Sequence, residues 1–183
     1  MPARAFALFE TSIGSCGVAW NAAGIVGLQL PASDAEATRA RLLRRWQGAI
    51  ESVPPPGVAR AIGLVQSLLA GNGADLRDIP LDLADVPDFH RRVYEVARTI
   101  PPGQTLTYGE IADRLGAPHE ARAVGQALGR NPVAIIVPCH RVIAADGRMG
   151  GFSATGGVAT KRRMLEIEGA AALAAGPLFA GRT

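Results

Sequence analysis

Cys139 lies in the run Pro138-Cys139-His140-Arg141, where one thiol has an imidazole and a guanidinium as sequence neighbours. A thiol attacks an electrophile only as the thiolate, and a nearby His, Arg or helix N-terminus lowers its pKa toward that form. The apolar run at 134–137 predicts a short buried strand, which Pro138 ends because proline has no N–H to donate. Cys139 is therefore expected at a strand end facing a cleft, either as a nucleophile or as a packed core cysteine.

The other cysteine and the histidines indicate neither a disulfide scaffold nor a metal site. Cys16 lies between turn glycines and a strand-like run and is predicted to be a small packed residue. The chain has three histidines: His90, His119 and His140. None of them forms a zinc-type cluster with the two thiols, so no metal and no cofactor are expected.

Length and charge bound the class of protein. The 183 residues suffice for one ordinary domain or two small ones, and no apolar run approaches the ~18–20 residues of a membrane-spanning helix. The first residues lack the pattern of a signal peptide, so a cytoplasmic location is expected. Residues 1–85 carry a net charge of −1 and residues 86–183 carry +4. The basic C-terminal half favours an anionic partner, and nucleic acid is the first candidate.

The first half is predicted to form a small antiparallel sheet with two helices. Apolar runs between turn glycines indicate three short strands: 5–10, 18–20 and 24–30. Ser33 or Asp34 is expected to cap a helix that runs to about Trp46, and a second helix is expected over 58–69. The first helix carries four arginines, which favour a solvated face over a nucleic-acid patch: Arg39, Arg41, Arg44 and Arg45.

The second half is predicted to contain a helix-turn-helix. A helix over 89–97 precedes Thr107-Tyr108-Gly109-Glu110, which has the spacing of a capping box. A three-residue turn, Gly116-Ala117-Pro118, then leads to a further helix over 120–128. Small residues on that helix permit close approach to either DNA or a neighbouring helix: Ala121, Ala123, Gly125 and Ala127. Arg122 is the one long cation in its first turn, where helices of this motif contact DNA.

Seven sequence pieces in one order resemble the O6-alkylguanine-DNA alkyltransferase family, closely over 87–170 and loosely over 1–80. They are Thr107-Tyr108-Gly109-Glu110-Ile111-Ala112, Ala121-Arg122-Ala123-Val124-Gly125, Asn131-Pro132, Ile136-Val137-Pro138-Cys139-His140-Arg141-Val142-Ile143, Gly150-Gly151-Phe152-Ser153, Lys161 and Glu168-Gly169. The resemblance implies an α+β fold. A small antiparallel sheet with helices, ribonuclease-H-like, is expected at 1–82, and a mostly helical, winged-helix-like domain with the helix-turn-helix at 83–183.

The resemblance also implies direct reversal of DNA damage. The alkyl group of O6-alkylguanine in double-stranded DNA passes irreversibly to a cysteine, in a single turnover that consumes the protein. O6-methylguanine is the chief expected substrate and O4-methylthymine a second candidate. The protein is expected to act as a monomer without a membrane partner.

Individual residues take roles from this resemblance. Cys139 is the expected acceptor, polarised through a water by His140, which Glu168 orients. Tyr108 is expected to donate a proton toward the departing guanine, and Asn131 to hold the turn around the cysteine. These five residues form the expected catalytic set.

Further expected contacts involve the guanine pocket and the duplex. The Val142 carbonyl and Ser153 line the pocket, with Phe152 as an apolar wall where family members often carry Tyr, and Ala154-Thr155 is an apparent insertion. Arg122 is expected to fill the place of a flipped base. Small residues of its helix are expected to lie against the DNA: Ala121, Ala123 and Gly125. Many members bind zinc through N-terminal cysteines, which this chain lacks, so no zinc is expected.

The chemistry supports these roles on physical grounds. Displacing a methyl group from guanine oxygen requires a thiolate in line and a proton donor for the purine anion that leaves. Adjacent residues of an extended segment point to opposite faces, so His140 is expected to reach Cys139 through a bridging water. The same argument disfavours a papain-like hydrolase, in which the cysteine and the histidine meet directly.

Three other functions stay open from the sequence: an alkyltransferase-like protein that binds lesions without repairing them, a helix-turn-helix regulator, and a cysteine hydrolase. Cys139 argues against the first, because such relatives lack the cysteine, whereas a regulator would need only Arg122. Arg141 is interpreted as a structural or backbone-pairing cation. Three further cations are interpreted as decorating a helix start: Lys161, Arg162 and Arg163.

Overall fold

The computed structural model describes residues 3–150 and 156–171 and shows a mixed α+β fold. Its strands are β1 (Ala5–Thr11), β2 (Gly14–Trp20), β3 (Ile25–Gln29), β4 (Ile50–Glu51), β5 (Leu106–Thr107) and β6 (Val142–Ile143). Its helices are α1 (Ala35–Arg45), α2 (Pro56–Leu69), α3 (Asp88–Arg98), α4 (Tyr108–Arg114), α5 (Ala121–Gly129) and α6 (Gly157–Ile167). Within the described ranges, no helix has the length and apolar character needed to cross a membrane.

The larger sheet has the strand order β3-β2-β1-β4. The first three strands are antiparallel neighbours, as the sequence predicts, with Phe9 opposite Cys16 and Val18 opposite Leu28. β2 begins at Gly14, earlier than the predicted start at 18. β4, which pairs in parallel with β1, is not predicted from the sequence, because a strand of two residues shows no periodicity. The parallel pair β5–β6 was missed for the same reason.

α1 follows one of its two predicted caps, whereas α2 begins at Pro56, two residues before its predicted start at 58. Asp34 caps α1 through its Oδ1, which accepts a hydrogen bond from Ala37 N at 2.8 Å, and the helix ends before Trp46. On this helix Arg39 pairs with Glu51 at 2.7 Å. The α1 arginine face therefore makes contacts on the protein's own surface.

The helices of the second half, α3, α4 and α5, pack on one another. The Tyr94 hydroxyl of α3 donates to the Ala127 carbonyl of α5 at 2.8 Å. The predicted capping box is present, since Thr107 Oγ1 accepts from Glu110 N and Glu110 Oε2 accepts from Thr107 N. The connection from α4 to α5 covers 115–120, so the predicted three-residue turn was too short.

Later parts of the chain attach to the free edge of β3. Leu28 N donates to the Pro132 carbonyl and Asp82 N to the Ile25 carbonyl, both at 2.9 Å. Arg98 Nη2 donates to three carbonyls of the segment that joins the halves: Leu76, Arg77 and Ile79. The larger apolar cluster contains residues from the sheet, from α3 and α5, and Cys139 itself. The cysteine therefore lies against a core to which both halves contribute.

Candidate functional site

The segment before Cys139 is a tight buried turn, so the predicted strand at 134–137 is wrong. Val137 N donates to the Val133 carbonyl at 2.9 Å, which turns the backbone back on itself. Ile135 has a φ of 73°, the only positive φ of a non-glycine residue in the part of the chain that the structure describes. For a β-branched residue this conformation costs about 1–3 kcal/mol. An apolar run indicates burial, but it does not distinguish a strand from a turn held by its neighbours.

The Asn131 side chain hydrogen-bonds two backbone groups of this turn. Its Oδ1 accepts a hydrogen bond from Val133 N at 2.9 Å, and its Nδ2 donates to the Val137 carbonyl at 2.8 Å. The same side chain hydrogen-bonds the Cys139 thiol and favours the thiolate. Asn131 thus connects the strained turn to the sulfur atom.

Cys139, His140 and Arg141 form one turn of 3-10 helix rather than the end of a strand. Arg141 N donates to the Pro138 carbonyl at 2.9 Å and closes the turn. Successive side chains of a 3-10 helix point about 120° apart, so these three point in different directions. The expectation that Cys139 and His140 lie in an extended segment is therefore wrong. Among the described residues no hydrogen bond joins the Cys139 thiol to the His140 ring.

Glu168 lies at the C-cap of α6, and its side chain is only 2% exposed. The carboxylate accepts hydrogen bonds from His140 Nε2 at 2.8 Å, from Arg141 Nε and Nη2 at 2.9 Å each, and from Gly103 N at 3.2 Å. Burial pushes the pKa of this carboxyl up, but the hydrogen bonds from His140 and Arg141 outweigh burial and lower the pKa to about 2. Glu168 is consequently an anion at neutral pH.

The charge of Glu168 decides which nitrogen of His140 carries the proton. An ionised carboxylate only accepts hydrogen bonds, so Nε2 of the ring is the protonated nitrogen. Burial lowers the pKa of His140 against the opposing effect of Glu168, and the cations Arg141 and Lys161 lower it further. The ring is therefore neutral, with its lone pair on Nδ1. That atom is buried and has no hydrogen-bond partner among residues 3–150 and 156–171.

The Cys139 thiol is buried, with 8% of the residue exposed. Burial raises its pKa, and the Asn131 hydrogen bond and the charge of Lys161 only partly oppose this effect. The expectation that neighbouring His and Arg lower the pKa of this thiol is therefore wrong. The sulfur rests as a neutral thiol, and a base must take its proton before it can attack.

Lys161 is completely buried, so its interpretation as a surface decoration is wrong. Its ammonium donates to the carbonyls of Val142 and Met149 at 2.5 Å each, and it lies 5.9 Å from the centroid of the Tyr108 ring. Burial lowers its pKa to about 8, against the effect of the Cys139 charge. The sequence does contain a signal for this position. Buried residues of α6 and its cap follow the i, i+3, i+4, i+7 pattern of one helix face: Lys161, Met164, Leu165 and Glu168.

Tyr108 begins α4 beside the thiol. A Cβ on Gly125 would lie 3.8 Å from its ring, and a Cβ on Gly150 would lie 2.7 Å from its hydroxyl oxygen. Gly150 also has a φ of 64°, so glycine is required there both by space and by backbone conformation. Burial raises the pKa of Tyr108, and the charge of Cys139 adds to the effect. The phenol therefore keeps its proton at neutral pH.

The predicted DNA-facing residues lie on the outer side of α5. Arg122 is exposed in the first turn of the helix, whereas Val124 is buried against the core. The small residues named for this face are partly exposed: Ala121, Ala123 and Gly125. The predicted pocket residues Phe152 and Ser153, with the insertion Ala154-Thr155, lie outside the described residues.

The second half of the chain matches a known protein family. Residues 88–170 match the family described as 6-O-methylguanine DNA methyltransferase, DNA binding domain. The methylated-DNA–protein-cysteine methyltransferase of Mycobacterium tuberculosis is 49% identical over 116 residues, which cover 63% of this chain and 68% of that protein.

Solved structures agree over a larger share of the chain. The crystal structure of Mycobacterium tuberculosis O6-methylguanine methyltransferase matches with a TM-score of 0.73 and 37% identity, covering 90% of this chain and 92% of that one. A structure of Mycobacterium tuberculosis OGT in complex with DNA matches with a TM-score of 0.67 and 35% identity, covering 92% and 96%. The fold and these matches together define a protein-cysteine methyltransferase with a DNA-binding domain. The chain belongs to the methylated-DNA–protein-cysteine methyltransferase family.

Proposed function

We propose that this protein repairs DNA directly by moving the methyl group of O6-methylguanine onto Cys139 Sγ in one irreversible turnover. The observation that carries the proposal is the buried His140–Glu168 pair next to Cys139 in the chain, in which His140 Nδ1 has no hydrogen-bond partner among the described residues. The substrate class follows from the family, whose members are named methylated-DNA–protein-cysteine methyltransferases. O4-methylthymine is a second candidate substrate.

The reaction begins with removal of the thiol proton. Because burial raises the pKa of Cys139, the thiolate forms only when an acceptor is in place. His140 Nδ1 takes the proton through one bridging water, which suits a buried polar site of this kind. The ammonium of Lys161 stabilises the charge left on sulfur, since it favours the thiolate of Cys139.

The thiolate then attacks the methyl carbon in line with its bond to guanine O6. A sulfur–carbon bond forms while the carbon–oxygen bond breaks, and the electron pair of the broken bond stays on the guanine. Tyr108 donates a proton to the departing base. The Cys139 charge that raises the pKa of Tyr108 disappears as the thioether forms, so the phenol becomes a better donor when the proton is needed. The proton held by His140 restores the phenol through solvent, which balances the reaction.

The guanine pocket is completed by backbone and loop groups. The Val142 carbonyl accepts from Lys161 and keeps a second lone pair for the base, because a carbonyl oxygen has two. We propose, from the family resemblance, that Ser153 and Phe152 contribute to the remaining wall. Phe152 is apolar and has no hydroxyl where family members often carry Tyr.

We further propose that α4 and α5 bind double-stranded DNA as a helix-turn-helix. Arg122 is exposed in the first turn of α5, where it fills the gap left when the damaged guanine turns out of the stack. Flipping a base costs a few kcal/mol, and an inserted side chain offsets part of that cost. The partly exposed Ala121, Ala123 and Gly125 allow the backbone of α5 to approach the duplex closely.

The chain is proposed to act as a monomer of two units, a ribonuclease-H-like unit at 1–82 and a winged-helix-like unit at 83–183. The segment between α2 and α3 supports this division, since it contains no helix and Arg98 holds it through backbone carbonyls. No cofactor is required, because the cysteine itself takes the methyl group. A thioether offers no ready leaving group, so each protein molecule acts once.

The test uses duplex DNA that carries methyl-labelled O6-methylguanine, with label and intact protein mass followed for the wild type and Cys139→Ala. The wild type is expected to gain one methyl group per chain, and Cys139→Ala none. An unchanged mass with tight binding to the lesion would support the lesion-binding alternative instead. An unchanged mass without lesion preference would favour a helix-turn-helix regulator.

A further inference from the structure

We propose that Arg141 is a positioning residue: it holds Glu168 as a fixed anion and thereby keeps the proton of His140 on Nε2 and the lone pair on Nδ1. The inference rests on the proposed function, because that lone pair is the acceptor for the Cys139 proton. Arg141 touches no reacting atom. It acts on the thiol only through Glu168 and His140.

The contacts of Arg141 are those of a residue that fixes another residue in place. Its side chain is 6% exposed, and its Nε and Nη2 meet the two carboxylate oxygens of Glu168 at 2.9 Å each. The remaining terminal nitrogen, Nη1, donates to the Ile100 carbonyl at 2.6 Å. Such a two-bond contact fixes the plane of the carboxylate as well as its distance. Glu168 is thereby held in one orientation toward His140.

Without Arg141, Glu168 would have little to keep it ionised. A buried carboxylate tends to take up a proton unless charged partners compensate for the lost water. Among the described residues, the other hydrogen-bond partners of Glu168 are the His140 ring and the Gly103 N–H, the latter at a long 3.2 Å. A protonated Glu168 could donate to Nε2, which would move the ring proton to Nδ1 and remove the acceptor.

The charges that face His140 come from three parts of the chain. Glu168, after α6, favours the imidazolium, whereas Arg141 on the 3-10 turn and Lys161 on α6 disfavour it. The Cys139 thiol is the remaining titratable group of the turn. Asp75, from the segment before α3, adds a negative charge that faces Arg141.

Replacing Arg141 therefore leads to a protonated His140 Nδ1 by either of two routes. Either Glu168 takes a proton and reverses the ring tautomer, or His140 takes a second proton and becomes an imidazolium beside the anion. Nδ1 is protonated in both cases. The proton of the Cys139 S–H bond then has no acceptor, and the electron pair of that bond is not released for attack.

Arg98 provides a matched control. It is also a partly buried arginine that holds backbone carbonyls, at Leu76, Arg77 and Ile79. None of these partners is a carboxylate, and Arg98 is not among the groups that act on the pKa of His140. Replacing Arg98 therefore removes a structural arginine without altering the charge at the site.

The experiment is nitrogen-15 NMR of the histidine rings in the full-length protein at neutral pH. The proteins are the wild type, Arg141→Met, Arg141→Lys and Arg98→Met, and His140→Gln assigns the signals. The wild type and Arg98→Met are expected to show an unprotonated Nδ1 on His140, and Arg141→Met a protonated one. An unprotonated Nδ1 in Arg141→Met would overturn the proposal.

Methyl-transfer rates against pH provide the second measurement. Arg141→Met is expected to lose about 100-fold in rate at neutral pH, the size of a lost general base, while Arg98→Met stays within about twofold. A purely structural arginine would lower the rate equally at every pH, and that result would contradict the proposal. If Arg141→Met does not fold, Arg141→Lys carries the test. Its ammonium keeps the charge without the two-bond contact, so the acid limb of the rate profile moves up by about half a pH unit. An unchanged limb would contradict the proposal.

The two measurements separate this inference from the proposed function. A wild type that transfers no methyl group, together with an Nδ1 that is protonated in Arg141→Met but not in the wild type, would refute the repair reaction and support the role of Arg141. A wild type that transfers the methyl group while Arg141→Met keeps an unprotonated Nδ1 would do the reverse.

Discussion

The two cysteines of this chain lie in one apolar cluster and differ in their polar neighbours. Cys16, on β2, is 0% exposed, and burial raises its pKa to about 12, with a contact to Thr11 as its one opposing interaction. Burial also raises the pKa of Cys139, but Asn131 and Lys161 oppose the effect. The neutral imidazole of His140 follows Cys139 in the chain, and its Nδ1 has no hydrogen-bond partner among the described residues.

Burial therefore does not decide whether a cysteine is structural or reactive in this protein. Both thiols are protonated at rest, so neither would be recognised by a low pKa. The difference is a set of groups that can remove the proton and stabilise the sulfur charge once substrate arrives. The same two sites can be compared experimentally, one substitution at a time.

The largest expected effect comes from replacing each cysteine separately with alanine. Cys139→Ala is expected to abolish methyl transfer and leave a folded protein. Cys16→Ala is expected to keep full transfer and lose about 1–2 kcal/mol of unfolding free energy, as for a small core truncation. Label transfer and urea unfolding of both variants give the result. Loss of transfer in Cys16→Ala would remove the distinction between the two sites.

Lys161→Met tests the buried cation next to Cys139. It removes the bonds to the Val142 and Met149 carbonyls together with the charge that favours the thiolate. We expect the transfer rate to fall about 100-fold, as when a preorganised electrostatic contact is lost. The matched control is Arg162→Met on the same helix, where the arginine is exposed and forms a loose 3.6 Å pair with Glu166. Equal rates in the two variants would show that Lys161 has no role at the thiol.

Acid unfolding compares the buried carboxylate of Glu168 with the exposed carboxylate of Glu166. The pKa of Glu168 is lowered to about 2 from a usual value near 4.5, so its stabilising effect is complete above pH 4.5 and is lost as the pH falls toward 2. The contribution is about 3 kcal/mol at neutral pH. Glu168→Gln is expected to be less stable at neutral pH and to lose this acid dependence, whereas the exposed Glu166→Gln keeps it. Identical curves for the two variants would show that the buried cluster is not the acid-sensitive part.

Arg122→Ala gives the smallest expected effect, because we propose that the residue acts on DNA and not on the thiol. Repair in duplex DNA is expected to slow about 10-fold, because the side chain offsets part of the free-energy cost of base flipping. Reaction with the free base is expected to change little. Exposed Arg114 of α4 offers a control through Arg114→Ala. If duplex and free base slow equally in Arg122→Ala, the residue does not act through the flipped base.

Local signals in the sequence predicted much of the fold. These signals predicted three features: the three antiparallel strands of the larger sheet, the Asp34 cap and the Thr107–Glu110 capping box. Each depends on residues near one another in the chain. The pairing of His140 with Glu168 was expected from the family resemblance and is present at 2.8 Å.

The features that were missed depend on contacts between distant residues. The turn at 134–137 needs Asn131 to hold it, and apolar residues alone do not reveal that. Lys161 is buried because its ammonium donates hydrogen bonds to the Val142 and Met149 carbonyls. The role of Arg141 depends on Glu168 and Ile100, both far away in sequence. Helix spacing could have placed Lys161 on the buried face, but not its partners.

The most direct test of the account locates the methyl group within the chain. The wild type is incubated with an excess of duplex DNA carrying O6-methylguanine, digested, and its cysteine peptides are compared by tandem mass spectrometry. We expect the Cys139 peptide to be fully methylated and the Cys16 peptide to be unmodified, with no further gain on longer incubation. Methyl on Cys16, on both cysteines, or on neither would contradict the account.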